Sequence, residues 1–332
     1  MGHHRAEVMA AGSRGEPSQD RSEIEVSSSA VGITVAPGPV PDWVVEAVRI
    51  GGASIVGAEE AEALIWLSHG SKGLSETLDK APYVRWVQLA SAGIEWLFRE
   101  GVYRPEKIWT CAKGVYGPNA AELAVTLLLC GYRDMRRFLR ADAWLPAAGR
   151  SLQGEHVGVI GSGGVGRSAL SLLGPLGART TALNLSGRPV PEADSTHPIE
   201  ELPSIIGGLD ALVLAAPLTT RTEGLVDSGL LAAMKEGAWL INVARGKLVD
   251  TDALVEALRD GTIGGAGLDV TDPEPLPTGH PLWALENCII TPHVANTLEM
   301  SPGPYRERIT DNVSRFVQGR TLEGVIDGEL QY

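Results

Sequence analysis

Six residues, Gly161-Ser162-Gly163-Gly164-Val165-Gly166, stand directly after the apolar run Val157-Gly158-Val159-Ile160 and lead into Ala169-Leu170-Ser171-Leu172-Leu173. The order is a strand, a tight glycine turn and a helix start. In such a G-x-G-x-x-G junction the first glycine permits the turn, the second admits a close backbone approach, and the third lets the helix pack on the strand. An anion seated there meets the positive end of the helix dipole. With 40 glycines in 332 residues a glycine turn alone is weak evidence. The flanking strand and helix turn it into a dinucleotide-pyrophosphate site and commit this part of the chain to a doubly wound α/β unit.

The length of 332 residues fits about two domains. A net charge of −13, with no basic stripe, argues against a nucleic-acid partner. Cys111, Cys130 and Cys288 are far apart and lack metal-ligand spacing, so they read as small buried hydrophobes in a reduced, cytoplasmic setting. No metal site is expected. No apolar run reaches the ~18 residues of a membrane span. Residues 1–25 mix Arg, Glu, Ser and Gly without an apolar core, which reads as a disordered tail and excludes a secretory signal.

Residues 31–35, 63–67 and 86–89 form apolar runs separated by polar helical stretches, the first around residues 42–49. Residues 120–129 form a nearly all-apolar helix, too short for a bilayer and placed as a buried interdomain helix. Strands follow at residues 157–160, 180–183, 211–214 and 239–241, with later ones around Leu268 and Ile289-Ile290. Asp250 is a candidate N-cap for a helix burying Leu254, Ala257 and Leu258. This alternation predicts parallel sheets covered by helices on both faces. A helical pattern at residues 305–317, with Ile309, Val313, Phe316 and Val317 on one face, is expected to return the chain to the first domain. The expected division is residues 26–118 with 300–332 against 119–299.

Three further segments bear on function. They are Ile241-Asn242-Val243-Ala244-Arg245-Gly246-Lys247-Leu248-Val249-Asp250, then Gly265-Ala266-Gly267-Leu268-Asp269-Val270-Thr271-Asp272-Pro273-Glu274-Pro275, and Thr291-Pro292-His293-Val294-Ala295. With the glycine turn, they resemble the N-x-x-R-G-x-x-V-D, L-D-V-x-x-x-E-P and P-H-[IV]-[AG] segments of the D-2-hydroxyacid dehydrogenase family. The likeness runs in order from about Val31 to Tyr332. It implies a flavodoxin-like substrate domain and an NAD(P)-binding Rossmann domain.

The resemblance also implies roles. Reduction of a 2-oxo acid needs a proton at the carbonyl oxygen, and a histidine supplies one near neutral pH. By position that acid is His293. Glu274 matches the carboxylate that orients the imidazole and keeps it charged, with Asp272 as a rival, and Arg245 matches the fork for the substrate carboxylate and carbonyl. As plain structure the three are a core histidine, a solvated carboxylate and a surface ion-pair residue. Ser91, Ala92 and Gly93 resemble the family's carboxylate-binding loop. Family members that oxidise phosphite have a lysine where Ala92 stands, and Pro118 occupies a place where an acidic residue is frequent.

Beyond Gly161, Gly163, Gly164, Val165 and Gly166, the resemblance assigns the dinucleotide Pro217, Ala244 and Asp269, the last beside the carboxamide. An acid about 20 residues past the glycines would hold the ribose hydroxyls and repel a 2′-phosphate. Asn184 stands there, followed by Ser186 and Arg188, so the cofactor is NAD(P) with NADP favoured. The expected activity is NAD(P)H-dependent reduction of a small polar 2-oxo acid such as glyoxylate or hydroxypyruvate by a homodimer. The alternative is an NAD(H)-sensing binding protein without turnover, like the family's corepressors.

Overall fold

The apolar runs Ala63-Leu64-Ile65-Trp66 and Ala211-Leu212-Val213-Leu214 are buried at every position. Strands covered on both faces belong inside parallel sheets with helices on either side. The computed structural model describes residues 31–297, 299–300 and 302–330, and contains two such sheets. The tail expected over residues 1–25 lies outside the described residues.

The first sheet comprises β1 (Gly32–Ala36), β2 (Ser54–Ile55), β3 (Ala63–Trp66), β4 (Trp86–Leu89) and β5 (Ile108–Thr110), all parallel in the order β2-β1-β3-β4-β5. Helices α1 (Asp42–Ile50), α2 (Leu74–Asp79) and α3 (Glu95–Arg99) lie between its strands in the chain. This is the flavodoxin-like order. Periodicity finds β1, β3 and β4 but misses the two edge strands. Both residues of β2 are exposed, and β5 is three residues long and starts on an exposed isoleucine.

Next come α4 (Gly117–Tyr132) and α5 (Met135–Leu139). The second sheet then forms from β6 (His156–Ile160), β7 (Arg179–Asn184), β8 (Ser195–Pro198), β9 (Ala211–Leu214), β10 (Trp239–Asn242), β11 (Gly265–Leu268) and β12 (Cys288–Ile290). Its order is β12-β11-β10-β9-β6-β7-β8, again wholly parallel. Between the strands run α6 (Gly164–Leu173), α7 (Leu202–Ile205), α8 (Ser228–Ala233) and α9 (Thr251–Arg259). The chain steps outward from β6 to β8 and then jumps back across β6 to β9. That reversal opens a crevice at the carboxyl ends of β6 and β9, where doubly wound sheets take their ligands. Strand β8 is a correction to the sequence pattern: its Ser-Thr-His-Pro is half-buried throughout and has neither an apolar run nor an alternation.

Local rules explain the helix placements. Asp250 accepts the Ala253 N–H at 3.0 Å and caps α9, whose Leu254, Ala257 and Leu258 are buried; losing such a cap costs about 1 kcal/mol. Helix α4 is apolar nearly all round because both of its sides are occupied. Trp239 of β10 fills the space over Gly131, Leu127 sits on Gly267 of β11, and Gly117 meets the Gly164 backbone of α6. Pro118 falls in the first turn of α4, where its missing N–H leaves no helical bond unmade.

The last helix, α10 (Pro302–Val317), packs against α1: Tyr305, Ile309 and Val313 share a cluster with Val44, Ala47 and Val48. Each fully buried aliphatic side chain there contributes roughly 1.5–3 kcal/mol. Its inner face differs from the periodic expectation. Val317 is 38% exposed, whereas Asn312 is fully buried. The Asn312 amide donates to Gln88 Oε1 at 2.8 Å and to the Glu323 carbonyl at 2.9 Å, and accepts from the Glu323 N–H at 2.7 Å. A satisfied amide is tolerated in a core, and pattern reading ranks it as polar surface.

All three cysteines are free. Cys111 and Cys288 are buried, and burial pushes the Cys288 thiol up to about 12. Cys130 departs from the buried expectation: it is partly exposed on a groove lined also by Met135, Leu139 and Trp283. No described helix is long and apolar enough to cross a membrane.

Candidate active site

The crevice begins at the glycine turn. Gly161 has φ +103°, and a Cβ there would come within 2.6 Å of the Ala215 carbonyl at the end of β9. A Cβ on Gly166 would overlap the Gly161 carbonyl, so this glycine lets α6 lie against the turn. A Cβ on Gly163 would meet nothing within 4 Å. Open space over the middle glycine, at the N-cap of a ten-residue helix, fits the approach of a pyrophosphate. Gly164 packs on Gly114, where a Cβ would reach the Gly114 Cα at 2.7 Å, and half-buried Val165 packs on the core behind. The residues present therefore fit a dinucleotide.

At the carboxyl end of β7, Asn184, Ser186 and Arg188 form one local cluster. Asn184 Oδ1 accepts from the Ser186 N–H at 3.1 Å, its amide donates to the Arg188 carbonyl at 2.9 Å, and Arg188 Nε donates to Ser186 Oγ at 3.2 Å. An uncharged side chain thus orders the turn, and the exposed Arg188 brings a cation to it. Pro217 follows β9, exposed at the same crevice, and its carbonyl accepts from Thr222 Oγ1 at 2.7 Å.

Arg245 is aimed by its own motif. Asn242, 1% exposed, donates to the Arg245 carbonyl at 2.8 Å and accepts from the Ala244 N–H at 3.0 Å, which ties the turn after β10. Any side chain on Gly246 would overlap the Thr271 carbonyl. The asparagine shapes the turn, and the glycine lets the segment that carries Glu274 lie against it. The guanidinium then donates through Nη1 to the Ala244 carbonyl at 2.7 Å.

His293 and Glu274 meet at 2.6 Å, Nδ1 to Oε1, both partly exposed. Asp272 is not the partner; its backbone carbonyl accepts from Thr251 Oγ1 at 2.8 Å. The Glu274 hydrogen bond is the main cause that raises the His293 pKa, helped by the Glu274 and Asp269 charges; desolvation and Arg245 oppose it. Glu274 is lowered in return, first by the same bond and also by the His293 and Arg245 charges, against desolvation. His293 has φ +53°, a left-handed conformation that costs a non-glycine residue about 1–3 kcal/mol.

Asp269 holds that loop in place. It is 1% exposed. Its carboxylate accepts from Thr291 Oγ1 at 2.6 Å, the Val294 N–H at 2.9 Å and the Ala295 N–H at 3.0 Å, and its carbonyl takes the His293 N–H at 2.9 Å. Bonds to residues 291–295 occupy this carboxylate and brace the strained histidine.

The five-stranded sheet faces this cluster with the loop after β4. Ser91 is 6% exposed, and its Oγ has no hydrogen-bond partner. Among the described residues, the N–H groups of Ser91, Ala92 and Gly93 also donate to no acceptor. A Cβ on Gly93 would overlap the Arg245 guanidinium, so the glycine is what admits Arg245 from the other sheet. Sequence reasoning missed Glu95, which accepts from Arg245 Nε at 2.9 Å across 150 positions of chain. It also missed His69, whose pKa is lowered by burial and then by the His293 charge. Among the described residues no group of His, Cys, Asp and Glu is placed to hold a metal ion.

Comparison with known proteins bears on this constellation. Residues 124–295 match the family profile described as D-isomer specific 2-hydroxyacid dehydrogenase, NAD binding domain. A Corynebacterium melassecola protein, described as an uncharacterized protein in the proB 3′ region, is 38% identical over 250 residues, covering 74% of this chain and 82% of that one. The human glyoxylate reductase/hydroxypyruvate reductase is 35% identical over 213 residues, covering 61% of this chain and 65% of its own. The Xanthobacter autotrophicus Py2 D-isomer specific 2-hydroxyacid dehydrogenase, solved with NADPH and MES, superposes with a TM-score of 0.78 at 27% identity, over 92% of this chain and 100% of that one.

Proposed function

Because the chain belongs to the D-isomer specific 2-hydroxyacid dehydrogenase family, and so to the NAD(P)-dependent oxidoreductases, we propose that it reduces a 2-oxo acid to the D-2-hydroxy acid with His293 as proton donor. The observation that carries this reading is the 2.6 Å bond between His293 Nδ1 and Glu274 Oε1. With Nδ1 committed, Nε2 is the nitrogen left to face a substrate, and the carboxylate keeps the ring charged above the usual histidine range.

The substrate carboxylate is assigned to the donors that have no partner: Ser91 Oγ and the N–H groups of residues 91–93. Arg245, leaning over Gly93, adds a cation between that seat and the reacting carbonyl. The glycine turn at residues 161–166 would hold a reduced nicotinamide dinucleotide, which would supply the hydride for C2. His293 releases its Nε2 proton to the carbonyl oxygen, so the C=O π bond gives way to one C–H and one O–H bond and the imidazolium becomes imidazole. Glu274 stays ionised throughout and stabilises the charge its neighbour carries before transfer.

The cluster at Asn184, Ser186 and Arg188 supports NADP over NAD, because no carboxylate is there to repel a 2′-phosphate. Replacing Asn184→Asp is expected to shift the NADPH/NADH ratio of kcat/KM toward NADH by roughly tenfold, about 1.4 kcal/mol, through one like-charge contact. An unchanged ratio refutes the role. The division at residues 26–118 with 300–332 against 119–299, and a homodimer, belong to the same proposal. Fully exposed Trp144 and largely exposed Leu139 support an apolar partner surface.

The test of the activity is oxidation of NADPH and of NADH against glyoxylate, hydroxypyruvate, pyruvate and phenylpyruvate. Turnover of a small polar acid is the expected result. Tight cofactor binding with no turnover of any acid would favour the nucleotide-sensing alternative.

A further inference from the structure

Strands β3 and β4 are neighbours with Trp66 opposite Leu89, so residues 67–70 and 90–93 leave the same sheet edge side by side. The second of these loops is the one against Arg245. The first is tied down just as firmly. Trp66 Nε1 donates to the Gly70 carbonyl at 2.8 Å, the Gly70 N–H to Ser68 Oγ at 3.4 Å, and the Leu67 N–H to the Ala36 carbonyl at 2.7 Å. These bonds close the loop around His69, which is exposed at its tip.

We infer that His69 reads the substituent on C3 of the substrate and favours a hydroxylated oxo acid over one with no C3 or a bare methyl. This rests on the proposed reductase reading and deepens it. Three bonds leave the trigonal C2. One ends in the oxygen that faces His293, and one leads to the carboxylate held at residues 91–93. The third is left for the adjoining loop, whose tip stands near enough to His293 to feel its charge.

The chemistry of His69 suits a hydroxyl. Burial and the neighbouring imidazolium both lower its pKa, so it is uncharged near neutral pH and carries one donor and one acceptor. Among the described residues no carboxylate pairs with it. A hydroxyl can replace the water that this exposed ring otherwise holds, while a methyl displaces that water and offers nothing in its place. Sites that hydrogen-bond a substrate hydroxyl discriminate strongly against analogues that lack one.

The test compares wild type, His69→Leu and His69→Gln in kcat/KM for hydroxypyruvate, pyruvate and glyoxylate, with NADPH and with NADH. In His69→Leu the hydroxypyruvate-to-pyruvate and hydroxypyruvate-to-glyoxylate ratios are expected to fall about tenfold, the scale of one lost hydrogen bond. His69→Gln, which keeps a donor and an acceptor, is expected to restore most of both ratios. Ratios that stay at the wild-type values in His69→Leu, including the case where all three acids decline in step, overturn the inference and leave the reductase reading standing. Wild-type protein that turns over none of the acids overturns both.

Discussion

Arg245, Asp269, Glu274 and His293 all leave one edge of the seven-stranded sheet, after β10, β11 and β12, whereas the facing edge of the five-stranded sheet offers mostly backbone. There the loop after β4 presents Ser91 Oγ, three N–H groups without acceptors and a glycine. The two edges also differ in how they are braced. Asn242 and Asp269 spend their whole side chains holding the charged loops, while residues 67–70 are closed by the Trp66 indole and the Ser68 hydroxyl and residues 90–93 mainly by backbone bonds. The lesson concerns division of labour. His293 and Glu274, which must keep angstrom-level geometry with one another, are built on a single sheet, whereas Arg245 is also set by Glu95 and Gly93 of the facing half. Under the proposed function that half positions the substrate.

The most severe test of this division removes the proposed proton donor. His293→Asn is expected to lower turnover by about 10²–10⁴-fold, the usual worth of a positioned acid, while the Kd for NADPH, measured by fluorescence, stays near wild type. A loss below tenfold would mean that the charged edge is not where the proton comes from.

The backbone edge is tested by Gly93→Ala. Gly93 does not have positive φ, so the substitution carries no conformational penalty and acts only through the Cβ that would overlap Arg245. A displacement of the guanidinium by about 1 Å is expected to cost about 10²-fold in kcat/KM, with unchanged Tm and cofactor affinity. Wild-type kcat/KM in this variant would show that Arg245 works without the close approach, and the contrast between the edges would weaken.

How far the sequence reveals these features follows from their range. The glycine turn, the asparagine and glycine around Arg245, and the Asp250 cap act within a few residues, so each leaves a local pattern. The strongest parallel strands are legible because every residue is apolar. Glu95 is not, since its meaning comes from Arg245, 150 positions away. His69 reads as one more polar loop residue until the neighbouring β3 and β4 bring its loop beside residues 90–93. The buried Asn312 and the half-buried β8 fail for a third reason, because polar residues with satisfied bonds imitate surface.

The gentlest prediction distinguishes charge from geometry inside the triad. Glu274→Gln keeps an oxygen for His293 Nδ1 but removes the negative charge, and that carboxylate is the main reason the imidazolium persists above the ordinary histidine range. Reduction needs the protonated ring, so kcat/KM is present at low pH and declines as pH rises through the folded-state pKa of His293. With the carboxylate gone that pKa falls, and the declining limb moves to lower pH by about one unit, corresponding to 1.36 kcal/mol of lost charge stabilisation. Oxidation of the hydroxy acid needs the neutral ring, so its rising limb is expected to move in the same direction. Reduction slows at neutral pH as a result, while oxidation there is spared. Limbs that stay in place in both directions, with turnover merely scaled down, would assign Glu274 to orienting the ring and leave its charge to Asp269 and the loop.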